Sequence, residues 1–400
     1  MKTYSIALLA LLFLSEPESA QSQIWQSMPD YPSTARDDGA RFIVNNVAYC
    51  GTGLTPWWTE LGDFYAYDMS SDAWTSIESI PVGEERQYAC GFSSATVGYI
   101  FGGYSGGNFL NDLWKYDPST DSWSEQTPLP ADGRSGASFF TINDTAYIIG
   151  GRTSTLDAVT EIWAYSMSSD TWTAKNDFPY DSLWRAAGTS YDQYGYLIFG
   201  RSPSDEYHNE LYKYAPSSDS WTQVSIFPGL GRTYASLSPV MGKLIVLGGL
   251  DSLVSSYNDM WQFDTLSGLW DQLSSIPALE RRGGLAFYSS TAIYYTTGID
   301  LNNTRLTETW KNENPTGNNE IDEISLHVFP NPAHDFLFIE SLESNFSIDS
   351  YSVLDGSGKM VLYGAEENLS SIDLRDIQSG IYILELTGDH RVTRRKIIKF

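Results

Sequence analysis

Six tryptophans stand at one fixed interval: Trp25, Trp74, Trp123, Trp172, Trp221 and Trp270 are each 49 residues apart. Two more columns keep that register. One is aromatic, through Tyr65, Trp114, Trp163, Tyr212, Trp261 and Trp310; the other is acidic, two residues earlier, through Asp63, Asp112, Glu161, Glu210, Asp259 and Glu308. Such a period means like units, each burying its apolar face only against its neighbours. Within a unit, four short apolar runs are separated by Gly, Pro, Asn, Asp and Ser; in the second they span roughly 88–94, 97–102, 112–117 and 122–126. These runs read as strands. Four-stranded units of this length close into a β-propeller, with the large rings filling the space between sheets.

The column ends show how the ring closes. Trp25 has no strands before it in the mature chain, and no tryptophan follows Trp310 at the expected place, Asn319. The first strand should therefore complete the last blade, giving six blades over 23–312. That seam would remove two open sheet edges.

The octet YDPSTDSW, Tyr116–Trp123, recurs before each later tryptophan, with Asp72, Asp121, Asp170, Asp219 and Gly268 two residues before the ring. A position that takes Asp or Gly suits a hairpin turn with positive φ. An arginine also recurs where each first strand begins: Arg36, Arg86, Arg134, Arg185, Arg232 and Arg282. First and third strands of an antiparallel sheet run the same way, so these arginines and the acidic column share a face. Mutual pairing is the expectation.

What recurs in every unit is architecture, and a ligand site needs what differs. The loops between second and third strands on that face differ. They carry Trp57 and Trp58 with Glu60, then Tyr104 and Asn108 beside glycines, then Arg152, and then Arg201 with Asp205, Glu206, Tyr207 and His208; Trp184 precedes a column arginine. Aromatics beside Arg and carboxamides suit sugar rings or protein side chains. The candidate ligand set is Trp57, Trp58, Tyr104, Arg152, Trp184, Arg201, Glu206, Tyr207 and His208, for an extracellular glycan or protein.

The formal net charge of −26 argues against nucleic acid as a partner and against docking on an anionic membrane. Lys2 and the apolar run Ile6–Leu14 read as a signal peptide, 1–22, too short to span a bilayer. Cys50 and Cys90 lie in apolar strands, and pairing and free burial both remain open. No metal-ligand spacing or cofactor motif is found, so none is expected.

The double glycines Gly102-Gly103, Gly150-Gly151 and Gly248-Gly249, the acid-x-aromatic-x-Tyr strand and the spaced tryptophans resemble the Kelch-repeat propellers; the fourth unit departs with Gly200-Arg201 and the last with Thr297-Gly298. Some such propellers are enzymes. The galactose-oxidase kind needs a pair of histidines with tyrosines, and this propeller has one, His208. Resemblance to the six-bladed sialic-acid epimerases implies an alternative to simple binding, in which Arg152 or Arg201 holds a sugar carboxylate and Glu206 moves a proton.

After Trp310 the polar stretch 313–323 reads as a linker. Seven alternating segments follow, at 324–330, 335–341, 347–355, 359–364, 370–374, 380–387 and 391–400, the pattern of a small β-sandwich. Residues 324–400 resemble the C-terminal sorting domain of the Bacteroidetes type IX secretion system. The match rests on Val328-Phe329-Pro330-Asn331-Pro332-Ala333, Gly358-Lys359, Gly380-Ile381-Tyr382 and the basic end around Lys396. It implies export through the periplasm to the cell surface or beyond, with the secretion machinery as a partner.

Overall fold

The computed structural model describes residues 25–155, 158–313, 315, 326–341, 348, 350–355, 359–365, 369–388 and 391–400. The expected signal peptide, most of the expected linker and Gly358 lie outside them. Every regular element among the described residues is a strand, and six antiparallel four-stranded sheets form the blades. Blade I is Ala40–Val44, Val47–Gly51, Phe64–Asp68 and Ala73–Ile77. Blade II is Cys90–Ser93, Gly98–Ser105, Asn108–Asp117 and Ser122–Gln126. Blade III starts at Ser138–Ile142 and ends at Thr171–Ala174. Blade IV is Ala187–Tyr191, Tyr194–Ile198, Glu210–Ala215 and Ser220–Ile226. Blade V starts at Ser236–Val240 and ends at Trp270–Leu273. Blade VI takes Leu285–Tyr288, Ala292–Thr296 and Thr309–Glu313, and its outer strand is Trp25–Met28 from the other end of the chain, with Trp25 opposite Asn312. The seam is where the columns put it.

The octets join blades. Asp72, Asp121, Asp170, Asp219 and Gly268 all have positive φ, as a turn requires. Each tryptophan from Trp74 to Trp270 packs at a tilt or edge-on against the aromatic ring seven residues before it, with centroids 4.8–5.0 Å apart. The acid does more than turn the chain. Asp170 accepts from the Tyr165 hydroxyl at 2.7 Å and from the Thr127 amide of blade II at 3.0 Å, while Trp172 Nε1 donates to the Thr127 carbonyl at 2.8 Å. Asp121 and Trp123 clasp Glu78 of blade I in the same way. Each octet therefore satisfies polar groups at a blade junction as well as filling it.

The double glycine has a different basis from the one its sequence suggests. In the fourth blade the pair is Phe199-Gly200, not Gly200-Arg201. The first position has φ of 55–68° and accepts Thr52, Phe199 and Thr297 as well as Gly; the second is always glycine, from Gly53 to Gly298, with φ of 93–106°. No L side chain adopts that region readily. The amide of this second glycine donates to the carbonyl that opens the next blade: Gly53 to Arg86, Gly103 to Arg134, Gly151 to Leu183, Gly200 to Arg232, Gly249 to Arg281 and Gly298 to Arg36. Each link is a blade-to-blade bond around the ring.

Those bonds also define the true arginine column, which is Arg36, Arg86, Arg134, Leu183, Arg232 and Arg281. Arg185 and Arg282, counted in the column from sequence, are not in it. Five arginines pair with their acids as expected: Arg36 with Asp63 at 2.6 Å, Arg86 with Asp112 at 2.7 Å, Arg134 with Glu161 at 2.9 Å, Arg232 with Asp259 at 2.6 Å and Arg281 with Glu308 at 2.5 Å. Burial alone would raise the Asp63 carboxyl; the Arg36 hydrogen bonds and charge outweigh it and hold it below the ordinary range. The neighbouring indole also donates to the acid at Asp112, Glu161, Asp259 and Glu308.

Cys50 and Cys90 are free and buried, and burial pushes both thiols up to about 12. They are inert apolar packing.

All seven tail segments are strands. Leu326–Phe329, Phe336–Ser341 and Ser371–Asp373 form one sheet; Met360–Ala365, Ser350–Leu354, Gly380–Gly388 and Arg391–Lys399 form the other. A core with Leu337, Val353, Ile372, Leu384 and Ile397 lies between them. The Pro330-Asn331-Pro332 segment is tied to the last strand, because Asn331 Oδ1 accepts from the Ile398 amide at 2.9 Å and Ala333 donates to the Ile398 carbonyl at 2.8 Å. Tyr382 packs in the core and donates to the Gln378 carbonyl at 2.8 Å; a Cβ on Gly380 would come within 3.3 Å of its ring. The Lys359 amide donates to Asp355 Oδ1 at 3.1 Å. Lys396 lies opposite Ile383 in the strand register.

Candidate functional site at the mouth of the central channel

The first strands of all blades line a central channel. Two residues past the column, a ring of residues faces its mouth: Asp38, Tyr88, Gly136, Arg185, Tyr234 and Gly283. All six have φ between 55° and 64°. The bonds Asp38 to Gly283, Tyr88 to Asp38, Gly136 to Tyr88 and Arg185 to Gly136, amide to carbonyl at 2.8–3.0 Å, link successive blades. The backbone repeats here and the side chains do not. Positive φ at Tyr and Arg is unusual, and such residues cluster at functional sites.

These side chains enclose a cavity of about 170 Å³, which Arg41 also lines from deeper in the channel. Arg185 dominates it. The guanidinium carbon lies 3.6 Å from the Tyr234 ring centroid, 3.8 Å from Trp184 and 4.1 Å from Tyr88. The residue is only 9 % exposed, and its Nε and Nη1 have no hydrogen-bond acceptor among the described residues. Burial lowers its pKa, partly offset by Tyr88 and Asp38. Asp38 is pushed up to about 8, first by burial and then by the adjacent Asp37, against the pull of Arg185 and Arg282. It is a carboxyl kept largely neutral at pH 7. Asp37 is taken up by Arg305 at 2.5 Å, with Arg282 at 3.8 Å.

A second tier sits above this ring, where short bridges pair the start of each first strand with the end of each second: Asp37 with Leu54, Gln87 with Tyr104, Ser135 with Arg152, Trp184 with Arg201, Thr233 with Leu250 and Arg282 with Ile299. This geometry brings part of the sequence-derived set together. Arg152 and Arg201 lie 5.1 and 5.4 Å from the Trp184 ring, so three guanidinium groups surround one indole. A Cβ on Gly136 would meet Trp184 Nε1 at 2.6 Å, so glycine there makes room for the indole. Arg201 also holds Asp205 at 2.7 Å, and Tyr207 bridges back to Arg201.

Other members stand apart. Trp57 and Trp58 are each 75 % exposed on the blade I loop, with Trp58 near Arg305 at 5.3 Å. Tyr104 lies in a hairpin rather than a loop: Gly98–Ser105 and Asn108–Asp117 run on to a two-residue Gly106-Gly107 turn with positive φ at both positions. Glu206 and His208 group with Asp181 instead, and none of the three lines the cavity. The cavity residues Asp38, Tyr88, Arg185 and Tyr234 were not among the sequence candidates. Counting two residues on from the true column exposes them, as the positions where aligned blades differ most in chemistry.

Comparison with known proteins agrees with this architecture. The KLHDC2/KLHL20/DRC7 Kelch-repeats domain matches residues 12–190, and the Attractin/LZTR1 beta-propeller matches 125–311. The secretion system C-terminal sorting domain matches 327–399. Among solved structures, one titled "Structure of YjhT" superposes with a TM-score of 0.61 at 19 % identity, over 70 % of this chain and 96 % of that one. No curated protein matches the chain. The chain is an all-β protein that carries Kelch-type propeller repeats followed by a secretion sorting domain. That sorting domain directs export through type IX secretion to the cell surface or outside. Among the described residues no helix is long and apolar enough to cross a membrane.

Proposed function

We propose that this exported propeller is a binding module for an acidic glycan, held at the mouth of the central channel. The observation that carries this is Arg185. A guanidinium buried on three aromatic faces, with two nitrogens lacking an acceptor, is costly unless a ligand supplies the acceptor. A carboxylate is the matching group, since it takes Arg in a bidentate fork. Trp184 and Tyr234 provide flat walls for a sugar ring, and Arg152 and Arg201 add positive charge in an otherwise acidic protein, which favours anionic ligands locally.

The test is an array of acidic and neutral glycans probed with the full chain and with Arg185→Met, which keeps an apolar stem in the aromatic box. Binding confined to acidic glycans and lost in the variant is the expected result. Binding to neutral glycans alone, or to protein ligands only, would sink the acidic-glycan reading.

Asp38 favours a second reading, a sugar epimerase of the sialic-acid kind. A carboxyl that titrates near neutral pH beside an arginine is suited to general acid–base work. In that case Asp38 replaces Glu206 as the proton carrier, because Glu206 does not line the cavity. An NMR assay of N-acetylneuraminate anomer exchange decides it: a rate no faster than buffer removes the enzyme.

A further inference from the structure

Blade IV breaks the arginine–acid column. Leu183 occupies the arginine position, so among the described residues the column acid Glu210 has no guanidinium partner. Its Oε2 instead lies 3.4 Å from Nδ1 of His208. The His208 side chain is 14 % exposed. Its other nitrogen, Nε2, is buried without a hydrogen-bond partner and stands 3.9 Å from Asp181 Oδ2. One ligand atom each from Asp181, Glu206 and His208 lies within 4.8 Å of the others.

A separation of 3.9 Å is too long for a hydrogen bond. It is slightly wider than the spacing of two tetrahedral zinc ligands, which stand about 3.3–3.6 Å apart with metal–ligand bonds of about 2.0–2.2 Å. Asp181 and Glu206 are exposed, so their carboxylates have room to turn onto an ion.

We propose that Asp181, Glu206 and His208 Nε2 form a divalent metal site of the zinc class, with Glu210 as the outer carboxylate that orients the imidazole through Nδ1–H. An imidazole ligand selects against calcium and magnesium, which take oxygen. One nitrogen and two carboxylates leave a fourth, water-filled position of a tetrahedral zinc. A carboxylate behind a ligating histidine is the usual support for such a site. The ion would tie the segment entering blade IV, which carries Trp184, to the loop that follows Arg201. None of these four residues lines the channel cavity, so metal binding and glycan binding can fail separately.

The experiment is calorimetric titration of the full chain, stripped with chelator, with zinc chloride and in parallel with calcium chloride. We expect one zinc per chain and no calcium binding that competes. Glu210→Gln should weaken zinc about 10- to 100-fold. His208→Ala should abolish the site, while His334→Ala, in the tail, leaves it intact. Circular dichroism melts on both blade IV variants confirm folding. No zinc uptake by the wild type, undiminished uptake in His208→Ala, or zinc displaced by equimolar calcium would each overturn the proposal.

Discussion

Blades II and IV have the same strand order and the same octet, yet they treat one position in opposite ways. In blade II, Arg86 is fully buried and bonds Asp112 twice, the Gly102 carbonyl, the Glu84 carbonyl and the Glu84 carboxylate. In blade IV, Leu183 takes that place inside an apolar cluster with Phe178 and Tyr212. The acid column is thereby left a carboxylate without its guanidinium, and the blade's arginine sits two residues further on, in the channel. A symmetric scaffold gains function where one copy stops performing the shared structural task.

The largest expected effect tests the architectural side. Arg86→Ala strips a buried charge network and strands Asp112, and should destabilise the propeller by about 3–5 kcal/mol, seen as a lower midpoint in urea unfolding. Next comes Arg185→Met. It removes a charge that no acid neutralises in the fold, so stability should hold within about 1 kcal/mol, while acidic-glycan binding falls by about 100-fold, the scale of a lost charge-assisted contact. If Arg185→Met unfolds the protein as Arg86→Ala does, the distinction between the two arginines collapses.

Leu183→Arg sharpens the contrast by restoring the column. The new guanidinium should claim Glu210 and weaken zinc binding about 10-fold or more, while leaving binding at the channel mouth unchanged. Calorimetry with zinc checks this.

A pH-dependent effect isolates Asp38. Its folded carboxyl titrates near 8 against 3.8 for the free group, so the folded state holds the extra proton between those values. Stability contributed by Asp38 is therefore greatest at low pH and declines as pH rises from about 4 to about 8. Asp63, Glu161 and Glu308, all lowered by their arginines despite burial, act in the opposite sense and lose stability only as pH falls below the ordinary carboxylate range. Asp38→Asn, which tolerates positive φ, should flatten the decline between pH 5 and 8 in unfolding midpoints relative to wild type. Parallel pH curves for the two proteins would show that Asp38 stays charged in the fold. The smallest effect is Trp57→Ala, an exposed substitution expected within about 0.5 kcal/mol of wild-type stability.

Much of this was legible in the chain. The tryptophan, aromatic and acidic columns gave six blades and the seam, because large rings and turn acids must recur wherever sheets pack alike. The tail's seven strands followed from alternation. The arginine column was misassigned at two of its six places, since its true spacings are 50, 48, 49, 49 and 49 residues, and Arg185 and Arg282 lie close enough to pass as members. That slip hid the mouth ring, because Asp38, Tyr88 and Tyr234 differ from blade to blade and have no column of their own. Arg152 and Arg201, which the structure places around Trp184, were legible because they lie on loops that visibly differ.

The sequence alone determined the repeat, the closure and the sorting tail, since each depends on periodic burial or on local motif. Only the tertiary structure decided which arginines pair with the acidic column and that Arg185 enters the channel instead. It also decided that both thiols stay free and that Asp181, leading into blade IV, comes within 3.9 Å of His208 in that blade's loop. Those facts depend on distances between residues far apart in the chain, and two residues along a first strand separate an arginine paired with its blade's acid from one that enters the channel.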